Sequence, residues 1–169
     1  MSKYFIYLRG QPATGKITVA RLLERELGWK VFWFHELKNT VYDIVKEHRI
    51  PRLMDELTSP IIRYILDKGE NLIYVRPSPD KETIETVEHI IAEYPNYQSY
   101  VFRLTASYDT LVARANGRDD PYRISNQKDF DDYINSRNET DVTGEYAIDT
   151  TDLTHEQVAE QIISIVKAG

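Results

Sequence analysis

The chain has 169 residues, a length typical of one domain, and 41% of them are hydrophobic while 28% are charged. That balance excludes disordered and fibrous classes, and the absence of cysteine excludes disulfides, thiolate metal sites and cysteine nucleophiles. A net charge of −6 argues against an extended nucleic acid as partner, because its backbone needs a basic surface. No stretch approaches the roughly 20 apolar residues of a membrane span, and no signal-peptide pattern is visible. We therefore expect a cytoplasmic protein with no membrane contact.

Strand and helix patterns alternate along the chain without repeats or linkers. Runs rich in β-branched and aromatic residues predict five strands, at 4–8, 30–34, 71–76, 100–104 and 145–149. Helical periodicity predicts helices near 15–27, 36–48, 51–68, 78–93, 107–115 and 127–137, and from 154 onward. The alternation predicts a single three-layer α/β/α domain over 1–169, with a mostly parallel sheet and ligands bound beyond the carboxyl ends of its strands.

Three local signals sharpen the helix assignments. Pro60 interrupts the third helical pattern and predicts a kink or two short helices. Ser107 is typical of an N-cap, and Thr154 with Gln157 predicts a capping box at the start of the last helix.

Residues 10–16 match the phosphate-loop pattern G-x-x-x-x-G-K. The match lies between a predicted strand and a predicted helix, which is the context that the motif requires. In such a loop the backbone N–H groups surround an anion, and the helix N-terminus and the lysine add positive charge. The residues expected to bind nucleotide here are Gly10, Gln11, Pro12, Ala13, Thr14, Gly15, Lys16, Ile17 and Thr18.

One position departs from the pattern. Ile17 stands where the motif has serine or threonine, whose hydroxyl normally ligates Mg²⁺, and Thr18 follows one residue later. Two interpretations stay open: Mg²⁺ is held through water and a carboxylate elsewhere, or metal-dependent catalysis is weak or absent. The metal ligand is therefore unassigned.

Residues 4–28 resemble the loop of small P-loop kinases, a group that includes nucleoside monophosphate kinases, shikimate and gluconate kinases and AAA-type kinase-like proteins. Residues 102–118 resemble the fourth strand, the following helix and the start of a lid, and residues 147–152 resemble the last strand and the loop beside the base. The resemblance implies transfer of the γ-phosphoryl group of ATP, with Mg²⁺, to a small acceptor. It also implies a sheet of order 2-3-1-4-5 and a short arginine-bearing lid over about 114–138.

By the same resemblance, Arg114 and Arg118 are lid arginines that close over the phosphates and stabilise the transferring group. Arg114 is also expected to contact the nucleotide, and Thr150 is expected to border its base. The alternative for the arginines is a solvated surface with local pairs to Asp119 and Asp120.

Four further residues are candidates for acceptor binding. His35 and Glu36 follow the second strand, where an imidazole or a carboxylate can orient or deprotonate an acceptor hydroxyl. Arg76 ends the third strand, where these kinases usually carry an acid, and it suits an anionic acceptor. Arg123 is a further candidate in the polar segment of the lid arginines. The structural alternatives are a helix-dipole role for Glu36 and local ion pairs for the arginines.

The leading hypothesis is an ATP-dependent phosphotransferase whose partners are a nucleotide and a small anionic or hydroxyl-bearing acceptor. A nucleotide-binding module without phosphotransfer is the first alternative, because Ile17 and the absence of an acid at the end of the third strand favour it. A nucleotide hydrolase and a polynucleotide 5′-kinase are further alternatives, the last of which needs a basic channel. The acceptor, the choice between ATP and GTP and the oligomeric state are left open.

Overall fold

The computed structural model describes residues 2–46, 51–77, 81–116, 123–136 and 141–169, with the backbone alone for 51–55. Its strands are β1 (Lys3–Gly10), β2 (Lys30–Trp33), β3 (Leu72–Val75), β4 (Tyr97–Thr105) and β5 (Tyr146–Asp149). They form one sheet of order β2-β3-β1-β4-β5, and every neighbouring pair is parallel. The predicted fold class and the strand order that the resemblance implied are both confirmed.

The helices are α1 (Lys16–Leu27), α2 (Phe34–Val45), α3 (Pro51–Asp67), α4 (Lys81–Ala92), α5 (Tyr108–Ala115), α6 (Gln127–Asn135) and α7 (His155–Ala168). Successive side chains of a strand point to opposite faces of a sheet, and β1 is buried on both. Ile6 and Leu8 pack with α1 and α7, while Phe5 and Tyr7 pack with α3 and α4. In the described part of the chain, no helix combines the length and apolar character that a membrane crossing needs.

The predicted helix caps are confirmed. The Ser107 hydroxyl accepts a hydrogen bond from the backbone N–H of Thr110. Thr154 and Gln157 exchange side-chain and backbone hydrogen bonds in a complete capping box. These caps satisfy N–H groups that the first turn of a helix leaves without intrahelical partners.

Of the two outcomes predicted at Pro60, a break into two short helices is wrong, because α3 runs as one helix through it. An interior proline costs a helix about 3 kcal/mol. Ile62 and Leu66, on the turns that follow, are buried against the sheet. Burying two such side chains contributes about 3–6 kcal/mol, which offsets the cost of the proline.

A buried ion pair joins β1 to the residue before β5. Arg9 has no exposed surface and donates to the carboxylate of Glu145 from Nε at 2.8 Å and from Nη2 at 3.0 Å. Arg103 of β4 lies 3.0 Å from the same carboxylate and 2.7 Å from Asp141. Buried charges lose their hydration, so each depends on its partner. The pair therefore holds the carboxyl end of β1, which leads into the phosphate loop, to the start of β5 at one edge of the sheet.

The substitution Glu145→Gln should lower the free energy of unfolding by about 3 kcal/mol or more, because Arg9 stays buried without its counter-charge. Urea unfolding followed by circular dichroism measures this loss. The matched control is Glu26→Gln, which removes an exposed pair with Arg25 and should cost less than about 1 kcal/mol. Equal losses in the two variants would show that burial adds nothing to the Arg9 pair.

Candidate nucleotide and acceptor site

The phosphate loop connects β1 to α1, as the sequence predicts. Gly10 adopts φ 139°, and a Cβ there would clash with the backbone carbonyl oxygen of Leu104 on β4. Ala13 (φ 69°) and Gly15 (φ 87°) also have left-handed backbones, which turn the loop back on itself. α1 then begins at Lys16 without a side-chain cap, so its first N–H groups lie uncapped at the loop.

Lys16 lies across this loop. Its Nζ donates to the carbonyl oxygen of Gln11 at 2.6 Å and to Oγ1 of Thr14 at 3.2 Å. Thr14 is fully buried and donates to the same Gln11 oxygen at 3.0 Å. The ammonium group is therefore held beside the N-terminus of α1, where both positive charges can act on one anion.

His155, the first residue of α7, lies against the loop. A Cβ on Gly15 would be 2.6 Å from Nε2 of His155. The ring is half-buried because α1 and α7 pack side by side on one face of the sheet. Gly15 is thus constrained twice, by its backbone angle and by this neighbour.

On the β5 side of the loop, Arg114 and Thr150 are in direct contact. Arg114 donates from Nη1 to Oγ1 of Thr150 at 3.0 Å and from Nη2 to its carbonyl oxygen at 2.7 Å. Thr150 is buried and donates in turn to the carbonyl oxygen of Thr105 at 2.9 Å. The two residues expected at the nucleotide therefore lie together, although their roles stay predictions. Arg118 lies outside the described residues, as do the other lid residues within 117–122 and 137–138.

A cavity of about 300 Å³ opens on the other side of the loop, towards β2 and β3. The first turn of α1 contributes Lys16, Ile17 and Thr18 to its lining. The lining also includes His35 and Lys38 of α2 and Arg123, which lies in the segment before α6. Three cations therefore line one small space, and the described lining residues include no carboxylate.

The histidine of this cavity is neutral at physiological pH. Burial, followed by nearby positive charges, lowers the pKa of His35 from 6.5 to about 3. These charges belong to Lys38, Lys16, Arg123 and Arg76. An imidazole with so low a pKa is a weak acceptor for a hydroxyl proton. His35 is thus placed where the sequence predicts, but its environment suits an orienting group better than a base.

Arg76 and Arg123 each lie over an aromatic ring. The guanidinium of Arg76 is 4.2 Å from the ring centre of Phe34, and that of Arg123 is 5.0 Å from the ring centre of Trp33. Such contacts hold a planar cation without neutralising its charge. Both arginines therefore add to the positive potential near His35, although Arg76 itself is buried.

Glu36 lies elsewhere. It is exposed and pairs with Arg21 of α1 at 3.2 Å, and it does not line the cavity. Its catalytic role is a prediction that the geometry does not support.

Lys38, which sequence reasoning missed, lines the cavity instead. The spacing could have predicted this position, because Lys38 follows His35 by three residues and residues three apart lie on one helix face.

The fold implies Mg²⁺, but the described residues do not form a site for it. They contain no group of three or more histidine, aspartate or glutamate side chains that could hold a metal. At the loop, the side chain of Ile17 supplies no oxygen, and the hydroxyls among the residues lining the cavity are those of Thr18 and Tyr133.

A scan of family models finds no match. In sequence, the chain is 35% identical over 95 residues to a protein of Methanosarcina mazei named "Putative adenylate kinase". The aligned part is 53% of this chain and 48% of that protein, so the chain spans about half the length of the curated relative it matches.

Solved kinases share the whole fold. The APS kinase of Mycobacterium tuberculosis, solved in complex with AMPPNP and APS, superimposes with a TM-score of 0.72 at 14% identity over 98% of both chains. An unliganded sugar kinase from Janibacter sp. HTCC2649 superimposes with a TM-score of 0.71 at 14% identity, over 98% of this chain and 95% of its own. The chain therefore has the fold of the P-loop kinases, as the resemblance implied. The two proteins are named for different acceptors, so the shared fold does not identify the acceptor of this chain.

Replacing Gly15 by alanine should destabilise the chain more than replacing Gly28. Both glycines have left-handed backbones, at φ 87° and 70°, and each substitution should cost about 1–2 kcal/mol for that reason. The added methyl group meets His155 at Gly15, but has no neighbour within 4 Å at Gly28. Urea unfolding measures both losses, and His155→Ala should recover the excess at Gly15. Equal losses would rule out a rigid contact with His155.

The stability of the chain should fall as the pH drops below about 6.5, because the unfolded chain then protonates His35 while the folded chain does so only near pH 3. By pH 5 this linkage amounts to about 2 kcal/mol. The measurement compares urea unfolding at pH 7 and pH 5. His35→Gln should remove this part of the pH dependence, and His89→Gln, at an exposed position, should retain it. An unchanged dependence in His35→Gln would show that His35 is not held neutral.

Proposed function

We propose that the chain is an ATP-dependent phosphotransferase that moves the γ-phosphoryl group of ATP to a small, negatively charged acceptor. The observation that carries this proposal is the cavity of about 300 Å³ that the phosphate loop shares with Lys38 and Arg123. A phosphate loop with further cations on the same cavity would suit transfer between two anionic substrates.

Phosphoryl transfer depends mainly on positioning and on positive charge, since the protein supplies little covalent chemistry. The loop N–H groups and Lys16 would hold the outer phosphates of ATP. Arg114 and Thr150 would border the nucleotide on the β5 side, where they are in contact. Mg²⁺ belongs to this proposal as the companion of ATP, bound mostly by phosphate oxygens and water.

The similar proteins support this assignment, because the curated relative and the solved neighbours are named as kinases. ATP is the proposed donor because one neighbour was solved with the ATP analogue AMPPNP. The acceptors of those kinases are not transferred to this chain, since the identities to the solved structures are 14%.

The test is ADP release from Mg-ATP with a pooled panel of nucleosides, nucleoside monophosphates, sugars and hydroxy acids. Release should depend on the panel, and Lys16→Ala should lower it by about 100-fold or more, because a charge that stabilises the transition state is lost. Lys30→Ala, which removes an exposed lysine, is the matched control and should keep the wild-type rate.

Dividing the pool would then identify the acceptor. Tight ATP binding without release on any member of the panel would contradict a kinase and favour a nucleotide-binding module. Release that is equally fast without the panel would instead indicate a hydrolase.

A further inference from the structure

The imidazole of His155 fills the space beside the second glycine of the phosphate loop. A Cβ on Gly15 would lie 2.6 Å from Nε2 of this ring and 2.7 Å from its Cδ2. Gly15 is the N-cap of α1, so it belongs to the part of the loop whose N–H groups are expected to face phosphate. The backbone of a single residue would therefore separate the ring from a bound phosphate group.

No structural task in the described part of the chain accounts for this imidazole. The side chain of His155 makes no hydrogen bond and no salt bridge with the described residues, although it is half-buried. The start of α7 does not need it as a cap, because Thr154 and Gln157 already form a complete capping box there. Its ring nitrogens therefore stay able to respond to the charge that the loop holds.

The groups on the α7 side of the ring are acidic but face water. Glu156 follows His155 directly and is exposed. The pKa of its carboxyl is lowered first by a hydrogen bond from its own backbone N–H, then by one from Thr154, and further by the charges of His155 and Arg25. Asp152 is exposed in the turn between β5 and α7. Water and salt screen such exposed acids, so they favour a proton on the ring only weakly.

The groups on the loop side are positive. Lys16 follows Gly15, and its ammonium group is held across the loop by Gln11 at 2.6 Å. The N-terminus of α1 adds a partial positive charge at the same place. In the nucleotide-free protein, both charges oppose a proton on His155.

We propose that His155 takes up a proton when nucleotide phosphates bind in the loop, so that the chain binds ATP more tightly as the pH falls from 8 to 6. This inference deepens the proposed function. It rests on that function only for the binding of nucleotide phosphates at the loop.

The coupling follows from the sign of the charges. Bound phosphates bring negative charge to the far side of Gly15 and replace repulsion of the proton by attraction. A proton that binds better in the complex strengthens nucleotide binding by the same factor, because linkage between two ligands is reciprocal. The proton comes from solvent and returns there when the nucleotide leaves. Histidine suits this role, since its ordinary pKa of about 6.5 lies within the pH range of the cell.

Other described histidines do not compete for this effect. Burial, followed by neighbouring cations, lowers the pKa of His35 to about 3, so it stays neutral between pH 6 and pH 8. His89 is exposed on α4, which packs on the face of the sheet opposite α1 and α7. His48 lies outside the described residues. A comparison that changes only His155 therefore isolates its proton.

The first experiment measures the Kd of the ATP analogue AMPPNP, with Mg²⁺, by calorimetry at pH 8 and pH 6. Between these values the wild-type Kd should fall about threefold or more relative to the change in His155→Gln, because an added positive charge acts on phosphate across one residue. Protonation of the nucleotide itself is common to both proteins and cancels. His89→Gln is the matched control and should behave as the wild type. Circular dichroism at both pH values confirms that the variants are folded.

The second experiment follows the proton directly. The ring resonances of His155, assigned by their loss in His155→Gln, should titrate at a higher pH with saturating AMPPNP than without it. An unchanged midpoint, or an equal pH dependence of Kd in the wild type and in His155→Gln, would overturn the inference and leave the proposed function standing. Failure to bind AMPPNP at either pH would contradict the proposed function itself, and the inference would fall with it.

A third variant separates charge from shape. His155→Lys keeps a positive charge at both pH values, so it should bind AMPPNP more tightly than His155→Gln at pH 8 as well as at pH 6. Equal affinities of these two variants would show that charge at position 155 does not act on the bound nucleotide, which contradicts the inference.

Discussion

The backbone of Gly10 passes so close to the carbonyl of Leu104 that a side chain at position 10 would clash with it. This contact fixes the start of the phosphate loop on the sheet, between β1 and β4. Gly15 meets a second limit at the other end of the loop, where His155 occupies the space that a side chain would need. Held at both ends, the loop presents its N–H groups and Lys16 at the carboxyl edge of the sheet, and the rest of the candidate site is arranged around it.

The cations near the loop have different surroundings. Arg9 precedes the loop directly, but Glu145 pairs with it inside the protein. Lys38 and Arg123 instead line the cavity, where their charges, after burial, help to keep His35 neutral. The fold thus separates a cation that holds strands together from cations that line the cavity. This separation explains how a chain with an acidic composition can carry a locally positive cavity.

The predictions that depended on local pattern agree with the structure. The loop lies between β1 and α1, and the caps at Ser107 and Thr154 form as the sequence indicates, because each involves residues a few positions apart. Predictions that depended on distant neighbours were less complete. Glu36 pairs with Arg21 of another helix rather than lining the cavity, and His155 reaches the loop through the packing of α7 beside α1. Pro60 stays inside a single helix because its neighbours are buried under the sheet.

The sequence by itself determined the alternation of strands and helices, the position of the phosphate loop and the departure at Ile17, since these follow from residue type and spacing along the chain. Tertiary structure decided which side chains share the cavity. Arg9 and its partner Glu145 are 136 residues apart in the sequence. Lys38 and Arg123 line one cavity because α2 and the segment before α6 lie on the same side of the phosphate loop. Side-chain contacts of this kind are set by the packing of whole elements, and the periodicity of one segment carries no information about its distant neighbours.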